Sequence, residues 1–308
     1  MDPPLQPLEA TSGREEVLGR LSLAFLLDEV TGGMAGLEPL EALLVMAINQ
    51  ANIIPLTRDP AARARYGQLD APALDTERRP VSINAVAGSL GLPFETARRR
   101  IKRLVEAGAC VATRDGVVVP AAFLVSPAYL QSVLAAHDRL RRFYLDLKAA
   151  GLAEGLPPPN YSLEGSIPVR AAARLLSDYI LRTSEGLMRE AGNVISALVF
   201  VALLDGAAKR AAGAPDARPT QSLTALSSQL SLAPETVRRH VGQLLERGRC
   251  VRTATGVTLA PEMLAEPGVR QLFADNAINV HRLLAGLAER GVILAWETGG
   301  ALDGREIA

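Results

Sequence analysis

This chain of 308 residues contains few cysteines and few aromatic residues, and it has no excess of charge of either sign. Two cysteines are too few for a disulfide framework. The 33 Lys and Arg residues balance the 33 Asp and Glu residues, which excludes a uniformly basic coat for nucleic acid but leaves room for a local basic patch. Hydrophobic residues make up 48% of the chain, enough for a sizeable core, and the length predicts about two domains.

Long apolar runs and enzyme motifs are also missing. The longest apolar run extends from Val194 to Leu204, broken only by Ser196, and is shorter than the roughly 20 residues of a membrane-spanning helix. The first residues, Met1-Asp2-Pro3-Pro4, lack the basic and apolar segments of a secretory signal. No phosphate-loop, dinucleotide, zinc-protease or serine-hydrolase motif is present, and the three histidines lack metal-ligand spacing. We therefore expect a cytoplasmic protein that is not an enzyme, with no cofactor, metal or membrane partner.

An internal duplication organises the chain. Residues 81–120 and 221–260 align without a gap at an offset of 140, and sixteen of these forty positions are identical. Upstream the offset becomes 154, since the first copy holds 14 extra residues between Ile54 and Pro80. We predict a first copy over 14–155 and a second over 156–298, between flexible tails at 1–13 and 299–308.

The two copies predict the same order of elements. Two helices open each copy, and a short helix follows that begins at Ser82 or Ser222, which are suitable N-caps. After a tight turn comes a helix over about 94–107 or 234–247, ended by Gly108 or Gly248. Two short strands around a turn and a long closing helix complete the copy. The prediction is a mainly α fold with small β-wings, in which a winged helix-turn-helix unit with flanking helices is duplicated.

The segment Leu90-Gly91-Leu92-Pro93-Phe94-Glu95-Thr96-Ala97-Arg98-Arg99 resembles the recognition segment of bacterial winged-helix regulators, above all the cyclic-AMP-receptor and fumarate-nitrate-regulator group. The second copy, Leu230 to Arg239, matches as well. The resemblance covers about forty residues per copy and implies binding to double-stranded DNA. This chain has Arg98 and Arg238 where that group has Ser, and it shows no sign of that group's cyclic-nucleotide domain.

Helical spacing assigns roles to the residues of the two predicted recognition helices. Apolar residues such as Ala97, Ile101 and Leu104 cluster on one face, and the opposite face carries charged and polar groups. Arg can hold guanine O6 and N7, and Glu can accept from cytosine N4. The predicted base-contacting residues are the repeated Glu-Thr-x-Arg-Arg motif: Glu95, Thr96, Arg98, Arg99, Glu235, Thr236, Arg238 and Arg239.

The basic residues are strongly segregated along the neutral chain. Residues 78–114 carry eight basic and two acidic side chains, a net charge of +6, whereas residues 1–41 carry a net charge of −6. Segregation of this kind is typical of a DNA-binding face, where basic side chains contact phosphates. The predicted phosphate-contacting residues are Arg100, Lys102, Arg103, Arg114, His240, Arg249 and Arg252.

The copies have diverged at these positions. Lys102 and Arg103 become Gly242 and Gln243, while arginines appear at 249 and 252 in place of alanines. Positive charge thus moves from the helix towards the wing, and we expect the copies to read different sites.

Other features have simpler interpretations. Cys110 and Cys250 occupy equivalent positions and are expected to fill the core of their own copies. The segment from Leu56 to Arg79 is expected to be a mobile excursion. The apolar helices could support a homodimer or line a pocket for a small effector, although nothing in the sequence argues for one.

The sequence as a whole predicts a sequence-specific, double-stranded DNA-binding transcriptional regulator. Two alternatives stay open. Tandem winged helices also resemble protein-interaction scaffolds of chromosome-segregation complexes and plasmid-type replication initiators. An Arg-rich recognition face favours DNA over a protein partner.

Overall fold

The computed structural model describes residues 7–69, 72–160, 167–211, 213, 220–260 and 262–299. This part of the chain is mainly helical and contains two small antiparallel sheets. Its helices are α1 (Pro7–Gly32), α2 (Pro39–Arg58), α3 (Pro60–Arg65), α4 (Ile83–Ser89), α5 (Phe94–Glu106), α6 (Ala121–Leu124), α7 (Pro127–Ala149), α8 (Val169–Ala191), α9 (Val194–Ala211), α10 (Leu223–Leu230), α11 (Pro234–Glu246), α12 (Pro267–Glu289) and α13 (Val292–Thr298). Its strands are β1 (Val111–Thr113), β2 (Gly116–Val118), β3 (Cys250–Thr253) and β4 (Gly256–Leu259).

The chain divides into two compact units with interleaved segments. The unit that contains residues 81–120, here the first-copy unit, comprises Gly32–Arg141, Leu156–Glu185 and Arg282–Ala308. The second-copy unit comprises Met1–Thr31, Arg142–Gly155 and Gly186–His281. Each unit therefore takes residues from both ranges of the predicted division at 155/156, because α1, α7, α8 and α12 each begin in one unit and end in the other.

The first-copy unit is built around α2 and α5. Leu44 and Ile48 of α2, Ile101 and Leu104 of α5 and Leu140 of α7 are all buried. Helix α2 is long and apolar enough to cross a membrane, and so is the bent pair α8–α9 if the two helices form one span. Core helices of soluble proteins can be equally long and apolar. In α2 the buried residues belong to the core of this unit.

The core of the second-copy unit includes residues of α9, α10 and α11. Phe200, Leu226 and Leu244 are fully buried. Phe25 of α1 stacks on Phe143 of α7 with ring centroids 4.3 Å apart. Stacking of two large rings adds to the apolar area that the unit buries.

The local signals at the ends of the elements are confirmed. The Ser82 and Ser222 side chains accept hydrogen bonds from the N–H groups of Ala85 and Ala225, each over 3.1 Å, so both are N-caps. Gly108 follows α5 with a φ of +72°, in the left-handed conformation that glycine favours after a helix.

A hairpin follows each of the two helices α5 and α11. Val111 pairs with Val118 in the first hairpin, and Cys250 pairs with Leu259 in the second. The segment before each short helix adds a bridge to the hairpin, Val81 to Val117 in one case. A side chain at Gly116 would overlap the carbonyl group of Val81, which explains why glycine opens the second strand.

The structure also bears on the predictions for the two cysteines, for the segment Leu56–Arg79 and for the ends of the chain. Both cysteines are buried, as expected, and burial raises the pKa of the Cys110 thiol to about 12 and that of Cys250 to about 11. The expectation of a mobile excursion over Leu56–Arg79 is wrong where the segment is described, because α2 continues to Arg58, α3 follows, and Tyr66 and Arg78 are buried. Helix α1 begins at Pro7, inside the predicted tail at 1–13, while residues 1–6 and 300–308 lie outside the described part.

Candidate nucleic-acid interface

Helix α5 is fixed in place by one apolar face. Ala97, Ile101 and Leu104 are buried at 2% exposure or less. Because these residues recur at helical spacing, they form one buried face of α5 and leave the opposite face to solvent. Glu95, Arg98 and Arg99 are exposed, as predicted for base-contacting residues, and Thr96 is half-buried.

Helix α11 presents the same motif in the second-copy unit. Val237, Val241 and Leu244 are fully buried, and Glu235, Arg238 and Arg239 are exposed. Thr236 is half-buried, like Thr96. The two copies thus bring the same four residues, one Glu, one Thr and two Arg, to the first turns of two separate helices.

Within each motif the glutamate holds the first arginine. Arg98 donates from Nε and Nη2 to Glu95 Oε2 over 3.0 and 2.8 Å. In α11, Arg238 donates to both carboxylate oxygens of Glu235 over 2.9 and 2.7 Å. The hydrogen bond lowers the pKa of Glu95 and raises that of Arg98. Ion pairs this exposed add little to stability, so they can open when a better partner approaches.

Four of the predicted phosphate-contacting residues are exposed: Lys102, Arg103, Arg114 and Arg252. Lys102 lies 3.7 Å from Glu106 in a pair that is mostly exposed on both sides. Arg114 lies in the turn between β1 and β2, and Arg252 lies on β3. These positions, on the helix and on the hairpin beside it, are suited to contacts with a polyanionic backbone.

Arg100 has a different role from the predicted phosphate contact. Its Nη1 donates to Glu41 Oε1 over 3.1 Å and also to Glu38. Both acids lie at the start of α2, and the Arg100 side chain is only 22% exposed. The residue ties α5 to α2, and we remove it from the set of phosphate contacts.

His240, which occupies the equivalent position in α11, is also internal. Its Nδ1 lies 2.9 Å from the Ser196 hydroxyl of α9, and the residue is buried. Burial, followed by the nearby Arg239, lowers the pKa of His240 and favours the neutral ring. A buried neutral histidine is unsuited to a phosphate contact, so this prediction is also withdrawn.

Arg249 is the third residue whose partners lie inside the protein. Its Nη2 donates to Glu190 Oε2 over 2.9 Å, and its Nη1 donates to Glu266. The Arg249 side chain is 16% exposed and that of Glu190 is 8% exposed. Of the two arginines that the second copy gains near the wing, only Arg252 is therefore exposed.

The partners of these three residues lie far from them in the sequence, and for this reason the sequence alone did not predict their contacts. The differences between the two copies contain one indication of the contact between Arg100 and its acids. At the offset of 154, Glu38 and Glu41 correspond to Gly192 and Ile195. The acids and the arginine occur together in the first copy, and all three charges are absent from the second.

No protein-family model, curated protein or solved structure matches this chain significantly. The relation to the cyclic-AMP-receptor group thus stays a prediction from the motif. The geometry of α5, α11 and their hairpins provides the observations from which a function can be proposed.

Proposed function

We propose that the protein is a sequence-specific, double-stranded DNA-binding transcriptional regulator that contains two winged helix-turn-helix modules. Helices α5 and α11 are the proposed recognition helices. The observation that carries the proposal is the repeated Glu-Thr-x-Arg-Arg motif, whose Glu and two Arg side chains are exposed on the first turns of two helices with buried opposite faces. A charged solvent face alone is common, but the same ordered set on two equivalent helices favours a shared ligand.

The exposed groups suit the edges of base pairs. Arg99 can form paired hydrogen bonds with guanine O6 and N7, while Glu95 can accept from cytosine N4. Phe94, which is 45% exposed at the start of α5, can contact a thymine methyl group. Pro234 replaces Phe94 in the second module, so we propose that the two modules prefer different base sequences.

The hairpins complete the proposed interface. Arg114 and Arg252 are exposed on them and would contact phosphates, which positions the helices without reading sequence. Lys102 and Arg103 would add such contacts from α5. Each phosphate contact releases counter-ions, and binding should therefore weaken as salt rises.

The two modules contribute unequally in this proposal. Lys102 and Arg103 have no charged counterparts in α11, where Gly242 and Gln243 stand. Gln243 accepts hydrogen bonds from Asn193 and Ser196, over 2.9 and 3.0 Å, and is engaged within its own unit. The first module should therefore supply most of the affinity, and covalent linkage raises the effective concentration of the second at the DNA.

Selection from random duplexes tests the proposal. The wild type, Arg99→Ala, Arg239→Ala and the control Arg182→Ala would each be used to enrich DNA. Arg182 is exposed on α8 and pairs with Asp178, outside both recognition helices. We expect the wild type and the control to enrich the same motif and each recognition variant to lose preference at different base pairs, by about 1–3 kcal/mol per pair. Enrichment of no motif by the wild type would overturn sequence-specific reading.

A protein partner is the second candidate. Phe94, Val111 and Val251 are large apolar residues that are exposed on or beside the proposed recognition surfaces. Large apolar side chains that are exposed next to one another can mark a protein-binding site. Substitution of Phe94 by Ala separates the two functions: DNA reading at one base pair should change, whereas a protein interface would lose most of its affinity.

A further inference from the structure

Arg239, a proposed base-contacting residue of the second module, is in contact with a buried histidine. Its Nη2 lies 3.3 Å from Nε2 of His240, the next residue of α11. Arg239 is exposed, whereas His240 is buried in the second-copy unit. A flexible side chain that is proposed to read DNA is therefore attached to a group that is fixed in the core.

The hydrogen bonds behind His240 start from the residue that precedes α9. The backbone N–H of Ser196 donates to the Asn193 side-chain oxygen over 3.0 Å, which leaves the amide nitrogen of Asn193 to point towards α11. This nitrogen donates to Gln243 Oε1 over 2.9 Å and to the Ser196 hydroxyl oxygen over 3.1 Å. Gln243 therefore presents its oxygen, an acceptor, to Asn193 and Ser196.

These contacts determine which nitrogen of the His240 ring carries the hydrogen. The Ser196 hydroxyl donates its only hydrogen to Gln243 Oε1 over 3.0 Å. The hydroxyl oxygen must then accept from the ring, so His240 Nδ1, 2.9 Å away, is the nitrogen with the hydrogen. In the neutral ring this leaves a lone pair on Nε2, and Arg239 Nη2 donates to it.

The contact with Nε2 leaves Arg239 able to bind DNA. Each terminal nitrogen of a guanidinium group carries a pair of hydrogens. One hydrogen of Nη2 on the histidine leaves the other, with those of Nη1, for paired hydrogen bonds with guanine O6 and N7. A side chain that is already held in one geometry loses less conformational entropy on binding, which favours affinity.

Protonation of His240 would remove this contact. With a hydrogen on Nε2, the ring offers no lone pair to Arg239 and places a positive charge beside the guanidinium group. Like charges that are this close repel each other, so Arg239 would move away. Burial and then Arg239 lower the pKa of His240, while Gln243 opposes them, so the contact exists at neutral pH and is lost in mild acid.

The surroundings of His240 leave Arg239 as the group that senses this charge. The elements that pack against α11 include α9, α10 and β3. The other titratable residues of these three elements and of α11 itself are Asp205, Lys209, Arg210, Glu235, Arg238, Glu246, Cys250 and Arg252. Among the described residues, only Arg239 shifts the pKa of His240 by its charge. Asn193 and Ser196, which face the ring from α9 and the residue before it, are neutral.

The first module cannot hold its arginine in this way. Arg100 occupies the position of His240 and donates to Glu38 and Glu41. An arginine side chain has no acceptor and stays charged, so Arg100 can neither accept from Arg99 nor respond to mild acid. The two modules of one chain therefore provide an internal comparison.

We propose that His240 is a positioning residue, which holds the Arg239 guanidinium for the reading of a base pair and releases it when the ring is protonated. The second module would then lose one base preference in mild acid, whereas the first module would keep its preferences. The role in DNA reading rests on the proposed function. The contact between the two side chains does not, because it can be measured without DNA.

Nuclear magnetic resonance of the free, full-length chain tests the contact. We expect the His240 ring, assigned by comparison with His240→Gln, to be neutral and to carry its hydrogen on Nδ1 at about pH 7.5. Arg239→Ala should raise the pKa of His240, because it removes the adjacent positive charge, whereas the matched variant Arg99→Ala should leave it unchanged. A hydrogen on Nε2, or the same pKa in Arg239→Ala and the wild type, would overturn the proposal.

Base preference as a function of pH tests the role in DNA reading. Selection with Arg99→Ala and Arg239→Ala identifies the base pair that each arginine reads, and duplexes changed at one of these pairs are compared in affinity with the unchanged duplex. At about pH 7.5 the wild type should discriminate about tenfold at the base pair of Arg239, and this ratio should approach one towards about pH 5.5. The ratio at the base pair of Arg99 should not change with pH.

Two substitutions of His240 separate positioning from a merely structural role. Glutamine takes up no proton in this range, so the ratio of His240→Gln should not change with pH. His240→Phe offers no acceptor to Arg239 and should discriminate weakly at every pH. Circular dichroism at each pH defines the range in which all variants are folded, and the ratios are compared within it.

The outcomes distinguish this proposal from the proposed function. A wild-type ratio that does not change with pH, or an equal decrease in His240→Gln, overturns the positioning role and leaves sequence-specific binding intact. Enrichment of no motif by the wild type at about pH 7.5 overturns the proposed function and with it the role of His240 in DNA reading.

Discussion

The Asn52 side-chain oxygen accepts a hydrogen bond from the backbone N–H of Val119 over 2.9 Å, in the buried interior of the first-copy unit. The amide nitrogen of the same side chain donates to the carbonyl groups of Arg79 and Val117, over 2.8 and 3.1 Å. One residue of α2 thus binds the hairpin and the segment that precedes α4. These three hydrogen bonds fix the hairpin and that segment to α2.

Substitution of Asn52 by Ala should destabilise the protein. It leaves the Val119 N–H buried without a partner, and an unsatisfied buried group of this kind costs about 1–3 kcal/mol. Urea unfolding would show the decrease in the free energy of unfolding. Asn84→Ala, at an exposed position on α4, is the control and should have little effect. Equal stability of the two variants would contradict the role given to Asn52.

The second-copy unit has a different pair of residues at the equivalent positions. Asn52 corresponds to Gly206 and Val81 to Gln221, and the Gln221 side chain donates to the Ala202 carbonyl over 2.8 Å. A side chain at Gly206 would overlap the Gln221 amide. The glycine and the glutamine are therefore expected to depend on each other.

A double-mutant cycle measures this dependence. Gly206→Ala displaces the Gln221 amide, and its effect on stability should be less unfavourable when Gln221 is already Val, as in the first copy. Residues in direct contact show coupling of roughly 0.5–3 kcal/mol. Additive effects in urea unfolding would show that the two positions are independent.

The sequence predicts those parts of the fold whose causes are local. Ser82 and Ser222 cap helices because their side chains reach an N–H three residues away, and the buried faces of α5 and α11 follow from apolar residues at helical spacing. The exposure of Arg99 and Arg239 was predicted on the same basis.

The missed features depend on partners that are distant in the sequence. Arg100 finds Glu38 and Glu41 about sixty positions earlier, and Arg249 finds Glu190 at a similar separation. Packing across the fold decides which arginines are exposed and therefore available to the proposed interface.

Arg249 and Arg252 should differ in what their loss affects. Arg249→Ala leaves Glu190 without its partner, and the loss of hydrogen bonds between charged groups should lower the free energy of unfolding by roughly 1.5–3 kcal/mol. Arg252→Ala should leave the thermal midpoint unchanged and make DNA affinity less dependent on salt. A stable Arg249→Ala protein with a reduced salt dependence would restore Arg249 as a phosphate contact.

The burial of His240 predicts a loss of stability in mild acid. Its pKa is lowered from 6.5 in the folded protein, so the unfolded chain takes up a proton more readily. The stabilisation is complete above about pH 6.5 and decreases as the pH falls towards the lowered folded pKa. His137 is shifted in the same direction and contributes as well.

Urea midpoints at about pH 7.5 and pH 5.5, on either side of the ordinary histidine pKa, check this prediction. His240→Gln should lose less stability between the two values than the wild type. The exposed His281 supplies the control variant His281→Gln, which should behave like the wild type. Identical losses in all three proteins would exclude His240 as a source of acid sensitivity.

The salt dependence of DNA binding tests the central claim most directly. Four exposed cations, Lys102, Arg103, Arg114 and Arg252, predict a slope of about −3.6 for the logarithm of the affinity against that of the salt concentration, and about a hundredfold loss between roughly 50 and 200 mM. Lys102→Ala should reduce the slope by about 0.9, whereas Arg100→Ala should leave it unchanged. Absence of DNA binding at the lower salt concentration, or equal slopes for the wild type and Lys102→Ala, would contradict the proposed interface.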